Sequence, residues 1–332
     1  MPARRIRIVF ALAMFLAAAT VAPSADAKAE AGRFTTYHDQ QIAAAQLTRA
    51  CLEAIKTMRS SLGIPIDPVL DPNGTGMIGA PFSELTTCFG SLTVKRTTTN
   101  PNWAALFVRY FKTIGLQRGD VIAIGATGSF PSLIVACLAS AKVMELEPVL
   151  IYSVGASPYG ANIPRFTLVD MLGFLSERGL LPYKPAALLL DLHGSSGKVG
   201  LFRRERPPFD RLLERLALPV LSVSTRQEGI SRCRAAYDQA AAGRRIGCFV
   251  NLGASRTFSG EIVTFLALPD GLILHLPAPE QKRDRSLIHD FAARGVPVVN
   301  LILIKKVARR NGIAIDPIPM VPVGDGGVYC LE

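Results

Sequence analysis

Several features that would assign this chain to a familiar chemical class are missing. The six cysteines form no C-x-x-C pair and no metal-finger spacing, and the four histidines are scattered. We therefore predict no metal site and no cofactor. No segment is of low complexity and no internal repeat is found, while 49% of the residues are hydrophobic, a content that excludes a disordered scaffold.

Nucleic acid is not an expected partner, although acidic residues are in deficit and the formal net charge is +11. The basic clusters at 203–206 and 244–245 lack interleaved aromatic residues, and no nucleic-acid motif accompanies them. The excess positive charge has two interpretations. It attracts a polyanion over long range, or it belongs to an ordinary solvated surface.

Long apolar runs are also scarce, and the clearest lies at the start of the chain. Three arginines in residues 4–7 precede an apolar stretch over 8–22, and Ala-Asp-Ala at 25–27 offers a small-x-small cleavage site. This order predicts a signal peptide over 1–27 and an exported, periplasmic product. The alternative is an uncleaved anchor in the cytoplasmic membrane, with the rest of the chain facing outward.

The remainder predicts one α/β domain over 28–332, with a helix at 40–62 and a core over 92–319. Several strands are continuously apolar, as expected for strands buried on both faces of a parallel sheet. We predict an open three-layer Rossmann-like sandwich with a mostly parallel sheet. The predicted strands are 121–124, 148–153, 186–192, 220–223, 246–252 and 296–302. The predicted helices of the core are 100–114, 132–144, 167–178, 207–216, 225–242 and 283–294. Residues 262–276 are predicted as a hairpin or as a strand with a loop.

Small polar residues follow the predicted strands, where ligands of such folds bind. The turn over 125–129 is the most distinctive, because it precedes an apolar helix whose N–H groups would face an anionic or polar ligand. That turn matches neither G-x-G-x-x-G nor G-x-x-x-x-G-K-[ST]. The predicted ligand-binding residues are Lys95, Arg96, Gly125, Thr127, Gly128, Ser129, Ser157, Tyr159, Gly160, Asn162, Asn251, Gly253 and Ser255. Ordinary turn chemistry explains many of them equally well.

Catalytic residues are harder to assign from the sequence. Ser129 lies at a strand-to-helix turn but not in a G-x-S-x-G elbow. As a nucleophile it would need a base, for which His193 is the candidate, with Asp170 or Asp191 to orient the histidine. The other interpretation is that Ser129 caps the helix.

Three linked blocks carry a family resemblance. They are Lys95-Arg-Thr-Thr-Thr-Asn-Pro101, the segment 121–142, and Tyr152-Ser-Val-Gly-Ala-Ser-Pro-Tyr-Gly-Ala-Asn-Ile-Pro164. With them the chain resembles the poly-γ-glutamate system protein family, most closely over 92–175 and more weakly to about 319. The resemblance implies an association with bacterial poly-γ-glutamate synthesis and export. It implies no particular reaction.

Three functions are compatible with these patterns. The first is an accessory protein of poly-γ-glutamate synthesis or export that binds an anionic or polar ligand at the strand ends. The second is a periplasmic hydrolase or transferase acting on γ-glutamyl or related amide bonds. The third is a non-catalytic subunit of a membrane export complex. The partners implied are other proteins of that pathway, the polyanionic polymer itself, and the inner membrane if the first segment is not cleaved.

Overall fold

The computed structural model of the chain describes residues 34–193, 197–279, 281 and 285–330, and for His193 the backbone alone. The predicted signal peptide or anchor over 1–27 lies outside the described residues.

A central sheet of eight strands organises the described part of the chain. Its order is β5-β3-β2-β1-β6-β8-β7, and the short β4 pairs antiparallel with the end of β3. The strands from β5 to β8 in this order run parallel, whereas β7 is antiparallel to β8 at the edge. The strands are β1 Val121–Thr127, β2 Glu147–Ser153, β3 Ala187–His193, β4 Lys198–Val199, β5 Val220–Val223, β6 Ile246–Leu252, β7 Gly271–Ile273 and β8 Val298–Leu301.

Helices cover both faces of this sheet. They are α1 His38–Ser61, α2 Leu92–Thr98, α3 Trp103–Ile114, α4 Pro131–Val143, α5 Leu168–Glu177, α6 Pro207–Leu216, α7 Arg226–Ala241, α8 Ile262–Ala267, α9 Leu287–Ala293 and α10 Ile304–Arg310. A 3₁₀ turn, Gly327–Tyr329, follows them. No helix among the described residues combines the length and the apolar character needed to cross a bilayer.

Two hydrophobic cores lie on opposite faces of the sheet. The larger contains Trp103 of α3 and Ile134 of α4, both fully buried. The smaller contains Tyr237 of α7 and Phe291 of α9, with Phe249 of β6 stacked on Phe291. Each parallel strand thus contributes apolar side chains to both cores. This arrangement confirms the predicted three-layer α/β sandwich.

The last described segment returns to the first helices. Cys330 forms an isolated antiparallel bridge with Phe34. The amide of Gln41 in α1 donates to the carbonyl of Val328 at 3.1 Å, and the Arg109 guanidinium in α3 donates to the carbonyl of Cys330 at 2.9 Å. The segment therefore satisfies polar groups that α1 and α3 bury.

Three local predictions are wrong. Residues 262–276 do not form a hairpin, because 262–267 is helix α8 and β7 pairs with β8 instead; of the alternative, a strand with a loop, only the short strand β7 is present. Helix α3 begins after Asn102, two residues beyond the predicted cap Asn100. Ser129 does not cap α4, since β1 continues to Thr127 and the cap position falls on Phe130.

Candidate functional site

The order of the strands creates a crevice beside β1. The chain passes from β1 through β2, β3 and β5 on one side, and then returns to place β6 on the other side. Ligands of open α/β sheets bind at such a reversal, outside the carboxyl ends of the strands. Two adjoining cavities of about 350 and 180 Å³ lie there. We call them together the cleft. Both are lined by Cys88, Phe89, Ser129, Ala254 and Phe265.

A buried lysine lines the smaller cavity. Lys95 of α2 is only 2% exposed. Its Nζ donates to Ser157 Oγ at 2.5 Å and also donates to the carbonyl of Ser129. The same Nζ lies 4.3 Å from the centroid of the Phe130 ring. Among the described residues, the ionisable neighbour that acts on this amine is the Cys88 thiol and not a carboxylate, an unusual environment for a lysine inside a protein.

Two serines are positioned around this lysine by different strands. Ser129 follows β1 and Ser157 follows β2, and both are buried. The Ser157 N–H donates to Ser129 Oγ at 3.1 Å. Because β1 and β2 are parallel and adjacent, the loops after them meet at one edge of the sheet. Lys95, Ser129 and Ser157 therefore form one hydrogen-bonded group.

Burial shifts the titration of the groups in the smaller cavity. It lowers the pKa of Lys95 to about 7, with the neighbouring Cys88 acting in the opposite direction. Burial also raises the pKa of the Cys88 thiol, against the effects of the Lys95 amine and the hydroxyls of Ser129 and Thr87. Desolvation disfavours the charged form of each group. At neutral pH the cleft therefore holds a lysine that is partly neutral, beside an uncharged thiol.

The larger cavity has a polar floor and apolar walls. Asp191 at the end of β3 accepts from Arg256 at 2.5 Å and from the Thr257 hydroxyl at 3.1 Å. Thr127, Ser153 and Ser255 add hydroxyls near the strand ends, while Phe89, Val154, Val199, Leu201, Ile262 and Phe265 form the walls. Since Arg256 is already paired, this cavity suits an uncharged or partly apolar group better than a polyanion.

The turn before α4 is less open to anions than the sequence predicts. Gly128 N–H donates to the carbonyl of Gly155 at 3.0 Å, and Ser129 N–H lies 3.3 Å from Thr127 Oγ1. These two donors are therefore engaged within the protein. Phe130 N–H has no acceptor among the described residues, and Phe130 lines the smaller cavity.

Gly128 is required by close packing rather than by a positive φ. A Cβ there would lie 2.7 Å from the Tyr152 hydroxyl and 2.8 Å from the Gly155 carbonyl. Its own carbonyl accepts from Ala161 N–H at 2.7 Å. A carboxylate at this position would disturb the loop after β2 as well as any ligand.

The remaining predicted ligand-binding residues divide between cleft and scaffold. Lys95, Thr127, Ser129, Ser157 and Ser255 line the cleft, and Gly253 packs against Thr127.

The others hold the scaffold together. Arg96 pairs with Asp316 at 2.6 Å, and Gly125 lies within β1 against Phe249 and Phe258. Asn251 donates to Asn300 on the neighbouring strand at 2.9 Å. Tyr159, Gly160 and Asn162 fix the loop after β2, mainly through backbone and amide contacts with residues 79–80 and 128.

The predicted Ser–His–Asp arrangement places Ser129 and Asp191, but not Asp170, at the cleft. The His193 side chain lies outside the described residues. Asp170 does not line the cleft, because it completes the capping box of α5 with Thr167 and binds Arg215. Asp191 does line the cleft, bound to Arg256.

Sequence reasoning missed Cys88, Arg256 as a partner of Asp191, and the contact between Lys95 and Ser157. Cys88 precedes α2 in a segment without strand or helix periodicity, so nothing local marked it. Arg256 could have been found, since it follows β6 just as Ser157 follows β2.

Within the described residues, no group of three His, Cys, Asp or Glu side chains is arranged to hold a metal ion. All six cysteines are free thiols, and Cys51, Cys137, Cys233 and Cys248 are buried. Comparison with known protein-family models, with curated proteins and with solved structures finds no match to this chain.

Proposed function

We propose that the protein is a serine hydrolase or acyltransferase acting on an amide or ester bond, with Ser157 as the nucleophile and Lys95 as the general base. The contact of 2.5 Å between Lys95 Nζ and Ser157 Oγ carries this proposal. A base must lie within hydrogen-bond reach of the proton that it removes. Burial, which lowers the pKa of Lys95 to about 7, leaves a large neutral fraction at neutral pH.

The reaction follows from this arrangement. Ser157 Oγ attacks the carbonyl carbon of the substrate while its proton moves to the neutral Lys95 amine. The oxyanion that forms accepts from Phe130 N–H, which has no acceptor among the described residues. Collapse of the tetrahedral intermediate breaks the bond to the leaving group, which takes the proton from Lys95. Water, or an acceptor amine or alcohol, then releases the acyl group from Ser157 with Lys95 again as the base.

Ser129 acts as a positioning residue in this scheme. Its carbonyl accepts from Lys95 Nζ and its hydroxyl accepts from Ser157 N–H. We therefore propose Ser157 and Lys95 as nucleophile and base, in place of Ser129 with a histidine base. The carbonyl contact does not depend on the Ser129 side chain, so alanine at 129 retains the support of Lys95.

The resemblance to the poly-γ-glutamate system protein family supports an accessory role in polymer synthesis or export, alongside other proteins of that pathway. The bond acted on would then be a γ-glutamyl or related amide. The apolar walls of the larger cavity favour an uncharged group next to the scissile bond.

Ligand binding without catalysis is the second candidate. The Asp191–Arg256 pair and the hydroxyls of Thr127 and Ser255 favour it, because they offer fixed polar contacts at the strand ends without any need for Lys95.

Covalent labelling tests the proposal. The full chain is treated with a fluorophosphonate probe at pH 8, and the modified residue is identified by mass spectrometry. We expect modification of Ser157, abolished in Ser157→Ala and reduced at least about a hundredfold in rate in Lys95→Met. Ser153→Ala removes another cleft hydroxyl that does not contact Lys95, and should label normally. Labelling that persists in Ser157→Ala, or that Lys95→Met leaves unchanged, would refute the assignment.

A further inference from the structure

The exposed apolar side chains of the described residues are concentrated around the cleft. Six of the ten large apolar side chains that are exposed lie on the segments bordering it. We call these six the apolar rim: Phe82, Phe89, Leu201, Ile262, Val263 and Leu266. Single exposed apolar residues need no explanation, but a contiguous group marks a surface that contacts something apolar.

The rim is continuous with the cleft itself. Phe89, Leu201 and Ile262 each line the larger cavity while remaining between 43% and 77% exposed. Phe82 and Phe89 both pack on Phe202, with ring centroids 5.8 and 4.9 Å apart, so the aromatic half of the rim is one cluster. On α8, Val263 is 82% exposed and no residue of that helix is buried.

Positive charge surrounds the aromatic half of the rim. Arg203 and Arg206 are exposed on the segment that carries Phe202, and the Arg204 guanidinium lies 5.6 Å from the centroid of the Phe82 ring. The acidic residues here are already paired, Glu205 with Lys198 at 2.5 Å and Asp210 with Arg206 at 2.9 Å. Arginines beside protruding aromatic and aliphatic side chains are the composition that binds a bilayer surface containing anionic lipid.

We infer that the mouth of the cleft docks on an anionic membrane surface, with the apolar rim in the headgroup region and Arg203, Arg204 and Arg206 against lipid phosphates. A protein partner with a purely apolar face would leave Arg203 and Arg204 without a counter-charge, since within the described part of the chain only Arg206 of the three has a carboxylate partner, Asp210. Docking in this orientation turns the opening of the larger cavity toward the bilayer. A substrate carried on lipid, or held at the lipid surface, would then enter without crossing bulk water.

Vesicle co-sedimentation tests this inference with two matched pairs of variants of the full chain. Vesicles of phosphatidylcholine alone are compared with vesicles that also contain phosphatidylglycerol. Val263→Asp is matched with Val69→Asp, since Val69 is 77% exposed but lies away from the cleft lining. Arg203→Gln/Arg206→Gln is matched with Arg244→Gln/Arg245→Gln. The second pair removes the same charge from the loop before β6, which lies at the amino ends of the parallel strands and therefore far from the cleft at their carboxyl ends.

We expect the unmodified chain to bind the phosphatidylglycerol vesicles more tightly. Val263→Asp should weaken binding to both vesicles at least about tenfold, and Arg203→Gln/Arg206→Gln should weaken binding about tenfold or more on the anionic vesicles alone. The two control variants should bind as the unmodified chain does. The inference would be overturned if a variant of the rim or of its arginines bound vesicles as tightly as its matched control. It would also be overturned if the unmodified chain self-associated through the apolar rim and did not bind vesicles. Ser157→Ala should bind normally, so this test is independent of the proposed catalysis.

Discussion

At the scale of the residue, Lys95 combines burial with an environment of neutral oxygens. The Ser129 carbonyl, the Phe130 ring and Cys88 favour the ammonium, but desolvation outweighs them and lowers the pKa. Lys95 is therefore one of the side chains through which folding stability depends on pH.

Because the pKa of Lys95 falls from 10.5 to about 7 on folding, the folded chain binds fewer protons than the unfolded chain between these pH values. Lys95 should then contribute a rise of the free energy of unfolding with pH in this window, by about 1.4 kcal/mol per unit for one proton, while buried thiols with a raised pKa, such as Cys88, contribute a fall near pH 9. Urea denaturation of the unmodified chain and of Lys95→Met at pH 7.5, 8.5 and 9.5 isolates the Lys95 contribution as the difference between the two slopes. In Lys95→Met the contribution should disappear, and an unchanged slope would show that Lys95 keeps its ordinary pKa.

The same titration predicts the pH dependence of the chemistry. A base must be neutral to accept a proton, so the rate of probe labelling should rise with pH and level off above the pKa of Lys95, near 7. Lys95→Arg should label negligibly at any of these pH values, because a guanidinium stays protonated. A flat profile between pH 5.5 and 8.5 would contradict the role of Lys95 as a base.

At the scale of the element, the capping box of α5 tests how far local sequence signals determine stability. Thr167 Oγ1 accepts from Asp170 N–H, while the Asp170 carboxylate accepts from the Thr167 N–H and from Arg215. We expect Thr167→Ala to lower the free energy of unfolding by about 0.5–2 kcal/mol without affecting labelling of Ser157. Thermal and urea denaturation measure the first effect, and the probe measures the second.

Gly128→Ala should be more damaging than its size suggests, because its Cβ would meet the Tyr152 hydroxyl and the Gly155 carbonyl at under 3 Å. We expect a loss of about 1–3 kcal/mol in the free energy of unfolding and a disturbed loop around Ser157. Gly173→Ala is the control, since a Cβ at Gly173 meets nothing within 4 Å. Equal stability of the two variants would rule out close packing as the reason for Gly128.

The elements that the sequence predicts best are those whose signals are local. Helix 207–216 and strand 246–252 match the structure in both bounds, since a proline opens the first and a mainly apolar run forms the second. Residues 262–267 are mainly apolar too, yet none is buried, so an apolar pattern there could not distinguish a surface helix from a strand. The contact between Lys95 and Ser157 spans 62 residues and joins helix α2 to the loop after β2, which no local pattern encodes.

At the scale of the whole molecule, the export prediction remains to be tested. The basic and apolar start of the chain is followed by Ala-Asp-Ala at 25–27. Cell fractionation should find the protein outside the cytoplasm, and N-terminal sequencing should find a chain beginning at Lys28 if the signal is cleaved. A soluble, full-length product in the cytoplasm would exclude both the cleaved signal and the anchor.

The proposed pathway role can be tested in a strain that makes poly-γ-glutamate. Deletion of the protein should change the amount, length or release of the polymer. Complementation with Ser153→Ala should restore production, whereas Ser157→Ala should not. Restoration by both variants would exclude catalysis by Ser157 and favour a ligand-binding role. An unchanged polymer in the deletion strain would exclude a role of the protein in poly-γ-glutamate production.

The pairing of Phe34 with Cys330 also determines when folding can finish. Helix α1 completes its polar contacts through Gln41 and Val328, and α3 through Arg109 and Cys330. During synthesis residues 328–330 leave the ribosome long after α1 and α3, so the two helices lack these acceptors until the later segment has been made. We therefore expect that a chain truncated before residue 328 leaves buried donors of both helices without partners, and that its free energy of unfolding is lower.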